Sequence, residues 1–377
     1  MLPFQIGPRA LPRCRAIVLA ALWLALAAGR ALWAAPDNGG LGPLSLRNQF
    51  PPSLGYLNFT PEAPRTLPAG DLRLTYQLAV ANTFINTQAP SKNSTTVIDK
   101  AAVLAGLDES DFPAMGYGAY IDLETTRHAF ALRYGLFEQL ELGLDMAWIS
   151  LGGGGLDAGI ESFESSIGAL NKDRTRVPRN RFDFYLIRDG KFLVHTSRAA
   201  DLLPQDPVLQ VKWNWGDGGD LLPMVTLKGT YKAPLLSDPG SPRNLVSSGG
   251  IDYGYYLLLA KRIGSVIGHL QFGATQLQID GGSFNAVLEH KLFGLEFRSD
   301  DSNSWVFQVV TQSSLFEAAD FVSNQGDFLL SRPTDVLVLG HKYQGRHGSF
   351  DVGFAEDFNQ NQNETDIILF VELGWTW

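Results

Sequence analysis

The chain has 377 residues, with 39 acidic against 30 basic side chains and one cysteine. An acidic balance argues against nucleic acid as a partner, and a lone Cys14 leaves no disulfide scaffold and no thiolate metal site. Charged residues are only 18% of the chain and hydrophobic ones 45%, yet beyond the first thirty-odd residues no charge-free apolar run reaches the ~18–20 residues of a spanning helix.

At the start, Arg9, Arg13 and Arg15 precede an apolar run over residues 17–28, followed by Ala34, Ala35 and the helix breaker Pro36. That order of basic, apolar and small residues predicts a cleaved secretory signal over residues 1–35. Gly29 and Arg30 interrupt the run, so it is too short to anchor. Cys14 lies before the run, where a lipoprotein cysteine would follow it. Removing Arg9, Arg13, Arg15 and Arg30 leaves 26 basic against 39 acidic residues. An exported chain without cysteine and with 39 glycines is either a periplasmic globular protein or an outer-membrane barrel, and periodicity discriminates between them. Residues 36–70, rich in proline and glycine, read as a periplasmic lead or a lumenal plug.

Strand alternation then begins. Leu72, Leu74, Tyr76, Leu78 and Val80 share one face, opposite Arg73, Thr75 and Gln77. Leu140, Leu142, Leu144, Met146 and Trp148 lie opposite Glu141, Gly143 and Asp145. Further on, Leu209, Val211, Trp213 and Trp215 alternate with Gln210, Lys212 and Asn214, and Val225, Leu227 and Tyr231 with Thr226, Lys228, Thr230 and Lys232. Phe350, Val352 and Phe354 alternate with Asp351, Gly353 and Ala355, and the last strand sets Ile367, Leu369, Val371, Leu373, Trp375 and Trp377 against Asp366, Ile368, Phe370, Glu372, Gly374 and Thr376. A wall with lipid outside and a polar lumen inside requires this pattern. Alternation weakens in residues 288–298 and 336–343.

Twelve spanning strands are predicted, at residues 71–84, 119–134, 140–149, 206–215, 221–233, 251–263, 266–277, 284–298, 304–316, 333–344, 348–358 and 363–377, each with room for the ~9–11 residues a tilted strand needs. Short turns alternate mostly with longer loops at 85–118, 150–205, 234–250 and 317–332, the arrangement of periplasmic turns and extracellular loops. Pairing Tyr134 with Leu140 gives one self-consistent hairpin, with Arg133 opposite Glu141 on the lumen side. Tyr134, Trp215, Trp305, Tyr343 and Trp377 then fall at periplasmic strand ends, and Phe84, Trp148, Tyr231 and Tyr253 at extracellular ends, as two interfacial girdles. In loop 150–205, Leu156, Ile160, Phe163, Ile167 and Leu170 recur at helical spacing. Asp189-Gly190 is a type I′ hairpin signal between residues 181–188 and 191–196. The hairpin is placed outside the membrane; joining the wall, it would make fourteen strands. The fold class is an all-β, antiparallel up-and-down transmembrane barrel with a short helix in one loop.

The runs Pro43-Leu44-Ser45-Leu46-Arg47-Asn48-Gln49-Phe50-Pro51 and Leu67-Pro68-Ala69-Gly70 resemble domain of unknown function 3187, as do Leu156-Asp157 through Ile160-Glu161-Ser162-Phe163 and Pro178-Arg179-Asn180-Arg181-Phe182. Glu164 stands where that family pattern would have a histidine. The resemblance implies an outer-membrane-type barrel and carries no activity with it.

Catalytic and metal signatures are weak. No pair among the six histidines has the i, i+4 spacing of a helical zinc site. His195 and Ser197 share a strand face, superficially like a barrel hydrolase dyad, but no third group nearby in sequence orients them. His269 and His341 are expected to face the lumen. Gly152–Gly155 lacks the ending of a phosphate-binding loop, and Asp108, Glu109 and Asp111 lack EF-hand spacing. No catalytic residue, metal ligand or cofactor is therefore assigned. The candidate lumen residues are Arg73, Gln77, Arg133, Glu141, Asp145, Lys212, Lys228, Lys232, Asp351 and Glu372. Strips of opposite sign on neighbouring strands would impose a transverse field on solutes or neutralise each other in a packed interior. The expected function is a narrow pore or uptake route for small solutes or lipophilic molecules. A lipid hydrolase and a closed barrel serving as adhesin or assembly partner are the alternatives. Expected partners are outer-membrane lipids including lipopolysaccharide, periplasmic chaperones, and the barrel assembly machinery reading the strand that ends at Trp377.

Overall fold

The computed structural model describes residues 38–86, 98–112, 117–167, 174–236, 245–279, 284–316, 329–357 and 365–377. The predicted signal at residues 1–35 lies outside them, as do parts of the four long loops. Fifteen strands are present among the described residues: β1 (Leu72–Asn86), β2 (Tyr117–Phe137), β3 (Leu140–Gly152), β4 (Asp183–Arg188), β5 (Lys191–Thr196), β6 (Ala200–Pro204), β7 (Val208–Gly216), β8 (Met224–Lys232), β9 (Asp252–Ile263), β10 (Val266–Gln276), β11 (Val287–Arg298), β12 (Asn303–Gln312), β13 (Thr334–Gln344), β14 (Gly348–Asp357) and β15 (Ile367–Thr376). Helices α1 (Lys100–Ala105) and α2 (Asp157–Ile167) sit in two of the loops.

Twelve strands form the wall. Each of β7 to β15 pairs antiparallel with its sequence neighbour, β1 pairs β2, β2 pairs β3, and β3 pairs β7. The ring closes where β15 returns to β1, from Arg73 opposite Thr376 to Asn82 opposite Ile367. Leu72 and Trp377 exchange backbone hydrogen bonds of 3.1 and 2.9 Å at that seam. Closure leaves no free edge along the wall, the condition for a sheet to exist in hydrocarbon. No described helix is long and apolar enough to cross a membrane.

The remaining strands extend the wall rather than widen it. β4 takes over from β3 along the first residues of β2, with Tyr117 opposite Arg188 and Asp122 opposite Asp183, and β5 completes its hairpin. Asp189 and Gly190 both have positive φ, as a type I′ turn requires. The wall therefore has twelve spanning strands and not fourteen, because β3 bonds directly to β7.

One register is corrected. Leu142 lies opposite Tyr134, Leu144 opposite Leu132, and Gly143 opposite Arg133, with a bulge between Gly135 and Phe137. The strand runs on through Phe137, so the loop shrinks to Glu138 and Gln139 and pairing slides by two residues. A slide of two preserves which face each side chain occupies. Arg133 now meets a glycine, and its guanidinium crosses that space to bond Asp145.

Alternation is carried through the wall: Leu132, Leu142, Val211, Phe272, Phe293, Phe307, Phe354 and Leu369 are exposed outward. Tyr134, Trp215, Trp305, Tyr343 and Trp377 are exposed at the end holding both barrel termini, and Tyr253 at the other. Phe84 departs from the second girdle. It is buried edge-on against Tyr120 in a cluster with Ile98, Val103 and Phe112, because loop segments cover the tops of β1 and β2. His341 also departs, for it faces outward, opposite Trp305 and in edge contact with it at 5.0 Å.

In α2 the buried side is not the predicted apolar stripe. Ile160 is buried, but Phe163 is exposed while Asp157 and Glu161 are buried. The acids are held by cations from the segment that follows: Arg174 bonds Asp157 at 2.8 Å, and Arg179 grips Glu161 through Nε at 3.0 Å. Asp157 also receives Asn82 of β1 and the Asn180 backbone N–H.

Candidate functional site

The interior is filled by the segment 38–70. It starts at the short-turn end, where Asn38 donates to the carbonyls of Asp217 and Gly219. It reaches the long-loop end at Gly55, whose carbonyl accepts from Ser248, and returns to place Thr66 and Leu67 on Glu138 and Glu141. Three apolar anchors seat it. Leu44 and Leu46 pack on Ala79, Val338, Ile368 and Phe370. Phe50 and Leu54 pack on Ile121, Leu123 and Ile149. Phe59 packs on Tyr256, Leu258 and Leu292. Each seat consists of apolar residues on the inward face, where a water-filled lumen would want polar ones.

Between the anchors, wall side chains satisfy the backbone of the segment, as buried polar groups require. Glu296 accepts from the N–H groups of Leu41 and Gly42, Gln308 brackets Leu44, Asp252 accepts from Leu57, and Thr226 bonds the Pro64 carbonyl. His269 and Ser304 hold Glu296 from behind at 3.0 and 2.7 Å.

The most charged junction centres on Glu62. Its carboxylate lies 3.0 Å from Lys228, 3.0 Å from Arg133 and 3.6 Å from Lys212, and accepts from Gln210 at 3.2 Å. Lys212 also pairs with Glu141 at 2.9 Å, and Arg133 with Asp145. Burial works to raise the pKa of Glu62, but Lys228, Arg133 and Lys212 outweigh it and hold the carboxyl well below its usual range. Strips of opposite sign on β3, β7 and β8 thus neutralise one another through a carboxylate supplied from inside. No periodicity marked Glu62, since residues 36–70 have none, and a bulk count of charges cannot show which acid meets which base.

The other candidate residues are arranged around the same segment. Lys232 bonds Asp252 at 2.8 Å and the Gly55 carbonyl at 2.7 Å. Gln77 reaches Glu372 at 3.0 Å, and Ser45 donates to the same carboxylate. Asp351 pairs with Lys342, which also bonds the Pro43 carbonyl. Arg73 donates to Ser349 at 2.9 Å. Asp252, Glu296, Gln308 and Lys342 also face inward, the second and fourth of them from stretches where alternation weakens. A cavity of about 170 Å³ remains between the segment and the face made by β1, β2, β3, β7, β13 and β15.

His195 lies exposed on edge strand β5, with its ring 4.6 Å from that of Phe192 and 6.5 Å from that of Tyr185. Its described contacts are with aromatic rings, and no acid pairs with it among the described residues. Asp108 and Asp111 cap a short turn, and Glu109 pairs with Lys191.

No curated protein matches the sequence. Among solved structures, the fold is similar to the COG4313 outer membrane channel from Pseudomonas putida F1, with a TM-score of 0.51 and 12% identity over 85% of this chain and 100% of that one. More distant similarities include a NanC porin, with a TM-score of 0.40 and 7% identity over 81% and 99% of the chains. A FadL homologue of Pseudomonas aeruginosa gives a TM-score of 0.37 and 11% identity over 92% and 99%. The architecture is that of outer-membrane β-barrels. A family match spans residues 115–377. It includes the two loop runs at 156–163 and 178–182, which the structure brings together through Asp157 with Asn180 and Glu161 with Arg179. The runs at 43–51 and 67–70 lie outside it. The match also takes in the C-terminal half, where only strand pattern had been legible. The chain belongs to the family described as protein of unknown function (DUF3187).

Proposed function

We propose that the chain is an outer-membrane channel for small solutes, exported by its N-terminal signal, with residues 38–70 acting as a plug that leaves a path along the β1–β2 face. The observation that carries this reading is the coexistence of a closed wall, apolar outside and polar inside, with a charged cavity left beside the segment that fills it. A barrel needed only as a platform has no use for buried ionic groups around an internal space, since well-packed apolar residues would fill it with less desolvation. The outer face would meet outer-membrane lipids including lipopolysaccharide. The strand ending at Trp377 would be what the assembly machinery reads after chaperone transit of the periplasm.

Planar-bilayer recording tests it. Purified protein should show small steps, and protein lacking residues 38–70 markedly larger ones. Silence from both forms overturns the channel reading. The hydrolase alternative gains nothing from His195, whose contacts are aromatic rings. An adhesin reading draws on the hairpin β4–β5 standing above the wall, and trimming that hairpin without loss of conductance separates the two.

A further inference from the structure

The cavity beside the segment has an unbalanced lining. Four carboxylates border it, Glu62, Glu141, Asp145 and Glu372, against six cationic side chains. Three of the cations are matched: Arg133 to Asp145 and Glu62, Lys212 to Glu141, and Lys342 to Asp351. Two are not. Arg127 is nine-tenths buried, and its described hydrogen bond is from Nε to the neutral Gln205 carboxamide at 3.1 Å. Arg73 donates to the Ser349 hydroxyl at 2.9 Å. Neither forms an ion pair among the described residues.

A buried guanidinium with no carboxylate bonded to it is costly, and a planar fork of donors is suited to a carboxylate. Arg127 lies opposite Ala79 and Arg73 opposite Arg133, six residues apart along paired strands, or about 20 Å at the usual rise. The two cations therefore stand at successive depths of one face, with Ala129 and Ala131 between them and Pro43 and Ala63 of the inner segment across the gap. The space holds a compact body, roughly five or six water volumes at ~30 Å³ each.

We propose that this cavity binds small organic carboxylates, with Arg127 holding the anionic head and Arg73 forming a second station nearer the barrel termini. The proposal deepens the channel reading by naming its substrate class, and as a route it rests on that reading. Binding itself needs no conductance.

Isothermal titration of the detergent-solubilised full chain with benzoate, benzamide and benzylamine, equal in shape and differing in charge, tests it. Benzoate should bind best and benzylamine least. Arg127→Gln should weaken benzoate by about tenfold or more, the loss of one charge-assisted hydrogen-bonding partner, and Arg127→Lys by less. Should Arg127→Gln fail to fold, Arg73→Gln and the charge series on the unaltered protein decide. No benzoate binding, equal binding of the three probes, or arginine variants that bind as before would each overturn the proposal. Conductance measured separately tells a failed carboxylate site from a failed channel.

Discussion

Replacing Glu62 by glutamine keeps the side-chain volume and leaves the backbone bonds to Gln271 in place, while removing the charge shared by Lys228, Arg133 and Lys212. Glu141 and Asp145 remain, but Glu141 is engaged by Lys212 and Asp145 by Arg133, so Lys228 loses its carboxylate altogether. Breaking a buried pair from one side costs about 3–5 kcal/mol, or two to three and a half powers of ten in the population of released segment at about 1.4 kcal/mol per decade. The readout is the rate of trypsin cleavage within residues 38–70 in detergent, which follows the open population when reclosing is fast. Glu62→Gln should be cut far faster than the parent protein. Adding Lys228→Met should recover part of the protection, because a pair replaced on both sides leaves no orphaned charge. Equal cleavage of Glu62→Gln and parent would refute the ionic junction as the tether. The pH dependence follows from the same geometry. A depressed carboxyl contributes fully above its unfolded value near ~4.3 and is lost only as pH falls through its lower folded value, so protection should persist from pH 7 to pH 5.

Phe59→Ala empties the seat formed by Tyr256, Leu258 and Leu292 and should cost about 3–5 kcal/mol, seen as faster cleavage of the segment with strand content unchanged by circular dichroism. Gly143→Ala would drive a methyl to 2.9 Å from Arg133 Cδ, and closer still to Gln210. It should raise conductance by dislodging Arg133 from Glu62. Asp366, just before β15, is pushed up to about 7 by burial, against the pull of Arg174. Its raised folded value favours the protonated native state, so the junction of loop and wall should be firmest in acid and weaken as pH rises through about 7. Asp366→Asn should flatten the pH profile of proteolysis in loop 150–205.

Side-chain parity was legible because it answers to two solvents, and every wall strand had to satisfy both. Register was less so: the β2–β3 slide of two residues leaves Leu132, Leu142 and Leu144 facing lipid in either pairing, so hydrophobicity could not see it. His341 was misplaced where alternation weakens, and Trp305 opposite it fixes the true side. In α2 the apolar stripe misled because Arg174 and Arg179, distant in sequence, make burial of Asp157 and Glu161 favourable. The ten candidate lumen residues rest on parity alone. Glu62 does not, since its role arises from three strands converging on a segment with no period.

Ile368 and Phe370 are apolar residues on the inward face of the last strand, and they seat Leu44 and Leu46. Ile121, Leu123 and Ile149 do the same for Phe50 and Leu54. This matching bears on how solute could pass. Three apolar anchors at about 3–5 kcal/mol for each large side chain, added to the Glu62 junction, make wholesale ejection of the segment too rare to serve as a gate. The weak place is the cavity, where the segment meets β1 and β2 through polar contacts across open space. Movement confined to residues 63–65 and to Arg73 and Arg127 across the cavity would widen a path while Leu44, Phe50, Leu54 and Glu62 stay seated. A disulfide tying the segment to the wall beside Leu44 should therefore leave conductance intact, whereas one tying residue 63 to β2 should abolish it.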